Sequence, residues 1–421
     1  MEPFQVIAIL VVIAAAFAYV NHRFLRMPMT VGLMFLALAS TLAMVAIGQA
    51  GADLESLATR IVGGIDFSKL LLEGMLGLLL FAGALHVNLD DLLDQALEVS
   101  IFATLGVASS TFLVGGAVYG LSMLTDMQLP FILCLLFGSL ISPTDPIAVL
   151  AIMNKAGAPT SLRTKITGES LFNDGIGVVA FLVIFELAFG AGHGDAGVGH
   201  VAALLAEEVV GGLAFGVAAG FVTYLLLKSV NNYQVEILLT LALVIGGYAL
   251  ATALHISGPL AMVAAGLLIG NRGRRLAMSN QTREHLDTFW ELIDEVLNSL
   301  LFVLIGLEAL VLAWDLHYIA AGFVAIVVAL AARFISIGIP LGLIRRWRPT
   351  ANGAVRIMTW GGLRGGISVA LALSLPQGEH RDLLLTMTYL VVAFSILVQG
   401  LTIKSLITHC CGPQHSSEGK E

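Results

Sequence analysis

Three side chains in the stretch Thr167-Gly-Glu-Ser-Leu-Phe-Asn-Asp-Gly-Ile-Gly177 have types that could do chemistry: Glu169, Asn173 and Asp174. They interrupt a run otherwise fit for lipid. A charge at membrane depth costs about 2.5–3.5 kcal/mol or more, so it turns to a cavity or a partner. If the run enters the hydrocarbon near Thr164 and rises ~1.5 Å per residue, Asp174 lies ~15 Å deep, at the middle of a ~30 Å layer. At ~100° per residue, Glu169 and Asp174 point about 140° apart, whereas 169 and 173 share a face, as do 170 and 174. The two acids must therefore look into different neighbours. One is free to be a working carboxylate while the other is a paired, structural one.

The elements that position these residues follow from composition. The chain has 421 residues, of which 58% are hydrophobic and only 12% charged, with a mean hydropathy of +0.93. That is a polytopic membrane protein of helical type, because its apolar runs are ~20 residues or longer. A net charge of −8 leaves no basic face for nucleic acid. Cys134 is isolated and Cys410-Cys411 are adjacent, so no disulfide framework is implied. His409 beside that pair reads as a plain juxtamembrane end. The first apolar run lacks a basic n-region and a small-residue cleavage site, and reads as a first span.

Thirteen candidate spans are expected, at 4–22, 29–49, 66–87, 97–122, 130–153, 164–191, 198–227, 234–254, 258–270, 287–312, 317–344, 353–376 and 383–407. With the N-terminus outside, only Arg60 and Arg381 fall on the outer side, and Lys69, Arg333 and Arg364 fall within spans. Every other Lys and Arg lies in an inner segment or at the inner end of a span, as the positive-inside rule requires. The expected layout is a transmembrane domain over 1–410 and a short cytoplasmic tail, 411–421.

Two spans are broken at their centres. The fifth carries Ser142-Pro-Thr-Asp-Pro146, whose prolines remove hydrogen bonds and block a continuous helix. The twelfth carries Gly361-Gly-Leu-Arg-Gly-Gly366, whose glycines weaken helix and allow extended backbone. If spans 1–6 and 8–13 are inverted repeats, the fifth and twelfth occupy the same place. Paired breaks of this kind mark a transporter's midplane site.

These motifs, Gly168-Glu-Ser-Leu-Phe-Asn-Asp174, Ser142-Pro-Thr-Asp-Pro146 and Gly361-Gly-Leu-Arg-Gly365, resemble those of the sodium/proton antiporters of the monovalent cation:proton antiporter 1 family. The resemblance covers nearly the whole transmembrane chain. It implies an all-α fold of about thirteen helices in two inverted six-helix repeats, with the fifth and twelfth crossed and interrupted. It also implies a homodimer, and a mobile core of spans 4–6 and 11–13. Asn173-Asp174, rather than Asp-Asp, goes in this family with electroneutral exchange. The short tail looks prokaryotic, which implies the cell inner membrane and a role in sodium and pH homeostasis.

The residues support a chemistry consistent with this. Exchange of Na⁺ for H⁺ at one site needs a group that holds either cation, and a single carboxylate does that. Na⁺ favours carboxylate, hydroxyl and carbonyl oxygens. Asp174 supplies the charge, Ser170 and Thr144 supply neutral oxygens, and Asn173 orients the site by the resemblance. Glu169 is expected to pair with Arg364, tying the sixth span to the broken twelfth, since an unpaired buried charge costs more than a paired one. Asp145 and Arg333 are expected to offset the partial charges of the half-helix ends. Glu291, Asp294 and Glu295 are read either as an acidic cytoplasmic funnel or as an exposed helix end. Glu73, Glu186 and Glu308 are read as structural or interfacial charges, and His86 and His255 as residues of helix ends. Na⁺, Li⁺ and K⁺ meet the same ligand types, so K⁺/H⁺ exchange is the near alternative and a cation channel the distant one. No cofactor is expected, and an enzyme is disfavoured because no His-Glu-x-x-His occurs.

Overall fold

Lipid offers no hydrogen bonds to bare backbone, so each apolar run must satisfy its own amides, which it does as helix. The computed structural model describes residues 3–49, 66–125, 128–146, 149–150, 152–153, 158–190, 198–310, 312, 315–346 and 353–411. Among these the protein is helical throughout apart from its connections and one isolated β-bridge.

The helices in order are α1 (Pro3–Val20), α2 (Met29–Gln49), α3 (Phe67–Leu85), the short α4 (Leu89–Asp94), α5 (Ala96–Leu124) and α6 (Phe131–Ile141). There follow α7 (Thr160–Phe189), α8 (Val198–Ser229), α9 (Tyr233–Ala253), α10 (Gly258–Leu268), α11 (Asn280–Glu308) and α12 (Leu316–Ile344). The last are α13 (Ala354–Gly361), α14 (Gly366–Leu373) and α15 (Arg381–Cys410). Among the described residues, nine helices are long and apolar enough to cross a membrane: α1, α2, α3, α5, α7, α8, α9, α12 and α15. The other four expected spans coincide with α6, α10, α11 and the pair α13–α14. The first two are short, the third has a charged first half, and the last is broken.

Several helix starts are fixed by side-chain caps, which satisfy otherwise orphaned amides. Asn88 caps α4, Asn232 caps α9 and Ser257 caps α10, with Pro259 in the first turn. Ser279 caps α11 and thereby starts it at Asn280, seven residues before the expected 287. Asp315 caps α12, and the His317 amide at 2.7 Å holds its carboxyl below the usual carboxylate range. The connection between the expected spans 66–87 and 97–122 contains α4. Of the expected tail only Cys411 lies within the described residues, where it ends the helix Gly400–Cys411.

The densest helix contacts fall into two groups. In one, α2 packs on α11, and α10 packs on α3, α8 and α9; in the other, α5 packs on α6 and α12, α6 on α7, and α12 on α15. Large apolar side chains such as Phe24, Phe112, Val222 and Val327 remain on the outer faces, as expected where lipid replaces a packing partner.

Both expected breaks are present, and they meet. After Ile141 the helix stops and the chain is irregular through Asp145, and between Gly361 and Gly366 it is again without helix. The Asp145 amide donates to the Leu363 carbonyl at 2.8 Å, forming the isolated antiparallel bridge between the two breaks. The glycines of the second break serve close approach rather than unusual backbone. Gly362 has φ −76° and Gly365 φ −115°, both open to other residues. A Cβ on Gly362 would lie 2.6 Å from Arg333 Nε, and one on Gly365 would lie 2.6 Å from Asp145 Oδ2.

Candidate functional site

The site is assembled where α7 passes the two breaks. Glu169, Ser170, Asn173 and Asp174 are all buried on α7, and Thr144 is buried in the first break. Thr144 Oγ1 and Ser170 Oγ share a hydrogen bond at 3.1 Å. Asn173 Nδ2 donates to Thr144 Oγ1 at 2.9 Å, and its Oδ1 accepts the Thr144 amide at 3.3 Å. Asn173 thus holds the first break through both the amide and the hydroxyl of Thr144. It also reaches Glu169 Oε1 at 3.5 Å, which links the break to the buried ion pair.

That ion pair differs from the expected one. Glu169 is held by Arg333 of α12 in a bidentate grip, with Arg333 Nη1 on Oε1 and Nη2 on Oε2, the latter at 2.9 Å. Arg364 turns away and donates through Nη1 to the carbonyls of Ser142 at 3.1 Å and Pro143 at 3.0 Å. The reason is local. Because the helix has already ended at Gly361, residue 364 does not continue its face but projects across to the end of α6. Carbonyls at a helix C-terminus lack intrahelical partners and carry partial negative charge, which suits a guanidinium. The expected roles of the two arginines are therefore largely exchanged. Arg333 keeps a long contact, 3.5 Å, with the Met358 carbonyl near the end of α13.

Asp145 comes closest to its expected place. Gly365 is the residue capping α14, and the Asp145 carboxylate lies against it, where a negative charge opposes the positive N-terminal end of α14.

Asp174 faces the other way from Glu169. It lines a cavity of about 760 Å³ together with Asp145, Glu291, Asp294 and Glu295. The cavity walls also carry Asp91, Arg163, Thr164 and Thr167, near the start of α7, and Asn298 of α11. Thr144 and Ser170 are not on the cavity wall; their hydroxyls lie behind it, bonded to each other and to Asn173.

Sequence reasoning did not single out Asn298 or Ser368, although both line the cavity. Asn298 was legible in principle, standing four residues after Asp294 at the head of the apolar run Ser299–Gly306. Lys165, counted with the inner connecting segments, is buried and pairs with buried Glu98 at 3.6 Å. Glu73 and Glu186 are exposed on helix faces, whereas Glu308 is buried.

A buried carboxylate at the crossing of two broken membrane helices, reached by an acidic cavity, defines a secondary ion transporter. The family model described as "Sodium/hydrogen exchanger, transmembrane" matches residues 9–409, and the chain belongs to that family. It is 48% identical to the Na⁺/H⁺ antiporter NhaP of Pseudomonas aeruginosa, over 99% of both chains. It is 35% identical to the Na⁺/H⁺ antiporter NhaH of Halobacillus aidingensis, over 84% of this chain and 86% of that one. Its fold matches the solved sodium proton antiporter MjNhaP1 of Methanocaldococcus jannaschii with a TM-score of 0.73, at 18% identity, over 98% of this chain and 100% of the other. Membership places the chain among transporters rather than enzymes.

Proposed function

We propose that the protein exchanges Na⁺ for H⁺ across the membrane, one for one, by alternating access at Asp174. The observation that carries this reading is the separation of the two acids of α7. Glu169 is neutralised by Arg333, while Asp174 alone of the pair opens to the cavity. A lone carboxylate is satisfied by a proton or by a monovalent cation, and by only one at a time. Desolvation makes the bare anion costly, so Asp174 crosses loaded with one cation or the other. Thr144 and Ser170 stand close behind it, and their oxygens complete the Na⁺ shell if the first break shifts by a small amount.

The remaining parts follow from this reading. Thirteen crossings in two inverted repeats leave the N-terminus outside and the C-terminus in the cytoplasm, in the cell inner membrane. The cavity then opens to the cytoplasm, and Glu291, Asp294 and Glu295 act as a funnel that concentrates cations. The two contact groups become a moving core, α5–α7 with α12–α15, and a frame, α1–α3 with α8–α11. The frame supplies the contacts of a homodimer. Li⁺ shares the ligand preferences of Na⁺ and is carried too, and the exchange serves sodium and pH homeostasis.

The test is purified protein in sealed liposomes with an internal pH dye, adding Na⁺, Li⁺ and K⁺ in turn. A pH change with Na⁺ and Li⁺ is expected. Response to K⁺ alone would make it a K⁺/H⁺ antiporter, and cation flux without proton counterflow would make it a channel.

A further inference from the structure

Asn298 stands out among the residues of the cavity wall. It is 3% exposed, yet its Oδ1 has no hydrogen-bond partner among the described residues, while its Nδ2 is directed to the Asp294 carboxylate. Leaving a buried polar group unpaired costs about 1–3 kcal/mol, and native proteins rarely accept it without a reason. The amide lines the same cavity as Asp174.

Its surroundings point to a cation. Asp294 lies one turn back on α11, lines the same cavity and has its carboxylate at the Asn298 amide N–H. Asp145 bears electrostatically on both Asp174 and Asp294, so the three carboxylates share one space. Three residues beyond Asn298, Leu301 packs where a Cβ on Gly366, the first residue of α14, would lie 2.3 Å from it. Asn298 therefore sits on α11 between Asp294 and the crossing, about 6 Å further along the helix than Asp294 at ~1.5 Å per residue.

We propose that Asn298 Oδ1 and the Asp294 carboxylate form a second monovalent-cation site, a waypoint between the cavity mouth and Asp174. The chemistry of the amide gives the site its purpose. An amide oxygen ligates a hard cation but holds no proton at physiological pH. A waypoint built partly from it favours Na⁺ over H⁺, whereas Asp174 accepts both. It raises the local Na⁺ concentration beside the exchanging carboxylate. The proposal rests on the antiport reading above, and is tested separately from it.

Three single variants and one double variant decide it in liposomes and in binding of radioactive Na⁺ to purified protein. Asn298→Leu preserves size but offers no ligand; the Na⁺ KM should rise about tenfold, the effect of losing one good polar contact, while kcat stays within about twofold. Asn298→Ser restores an oxygen and should recover most of the affinity, which a role in packing alone would not give. Asp174→Asn should abolish exchange but keep weak Na⁺ binding, and adding Asn298→Leu should remove that remainder. An unchanged KM in Asn298→Leu, or no Na⁺ bound by Asp174→Asn, would overturn the waypoint and leave the amide held by water only. Failure of the wild type to exchange would instead overturn the antiport reading. Thermal unfolding of each variant separates loss of ligand from loss of fold.

Discussion

At the scale of single residues, the site depends on keeping two carboxylates of one helix in different chemical states. Asp174→Asn should leave the fold intact and abolish exchange, since an amide neither holds a proton nor balances Na⁺; continued Na⁺-dependent pH change in liposomes would contradict this. The pair Glu169–Arg333 should behave differently. Removing either partner alone should destabilise the protein by roughly 3–5 kcal/mol, because the other charge stays buried. Glu169→Gln combined with Arg333→Met should recover part of that loss. A double-mutant cycle in thermal unfolding measures this coupling, and it should exceed the Glu169–Arg364 coupling. The opposed directions of the two acids could be read from their spacing of five residues. The partner of Glu169 could not. Arg333 and Arg364 had compatible depths, and the choice turned on where the twelfth span stops being helix, which sets the direction of Arg364.

Among the elements, the breaks were legible because Pro143, Pro146 and the glycines at 361, 362, 365 and 366 act on the backbone itself. Their crossing geometry was less so. The glycines were read as sources of extended conformation, which Gly365 adopts, but other residues could adopt it too, and the missing side chains are what matters. Gly365→Ala should force the Asp145 carboxylate or α14 to move, at about 1–3 kcal/mol. The exchange rate should fall by about tenfold. Stopped-flow dye measurements alongside melting curves check it. The π-helical stretches, such as Leu70–Met75 in α3 and Phe102–Gly106 in α5, left no signal in the sequence. A π turn reflects packing with neighbours more than local residue preference.

For the whole molecule, the asymmetry of charge predicts a topology and the single exchanging site predicts an energetics. Cysteines placed in 272–283 should react only with reagents that reach the cytoplasmic side. If Asp174 crosses neutral in both forms, exchange should be indifferent to voltage. One net charge moved through 100 mV would contribute about 2.3 kcal/mol, so a current relieved by valinomycin and K⁺ would refute one-for-one exchange. Protons and Na⁺ compete for the same oxygens, so while Asp174 is mostly protonated the apparent Na⁺ KM should fall about tenfold for each unit rise in pH, and level off once it is not. That the apolar runs are helices was legible because lipid leaves such a run few alternatives. The division of helices into two contact groups was not, since it depends on which faces meet.

The backbone bridge from Asp145 to Leu363 also bears on how this protein can change over generations. The first break runs from Ser142 to Asp145 and the second from Gly362 to Gly365, and each is held at one register by that contact. Inserting or deleting one residue in either would move Asp145 off the α14 terminus and Arg364 off the α6 carbonyls together. Descendants should therefore keep both linker lengths fixed, or alter the two as a unit, even where the outer loops grow and shrink freely.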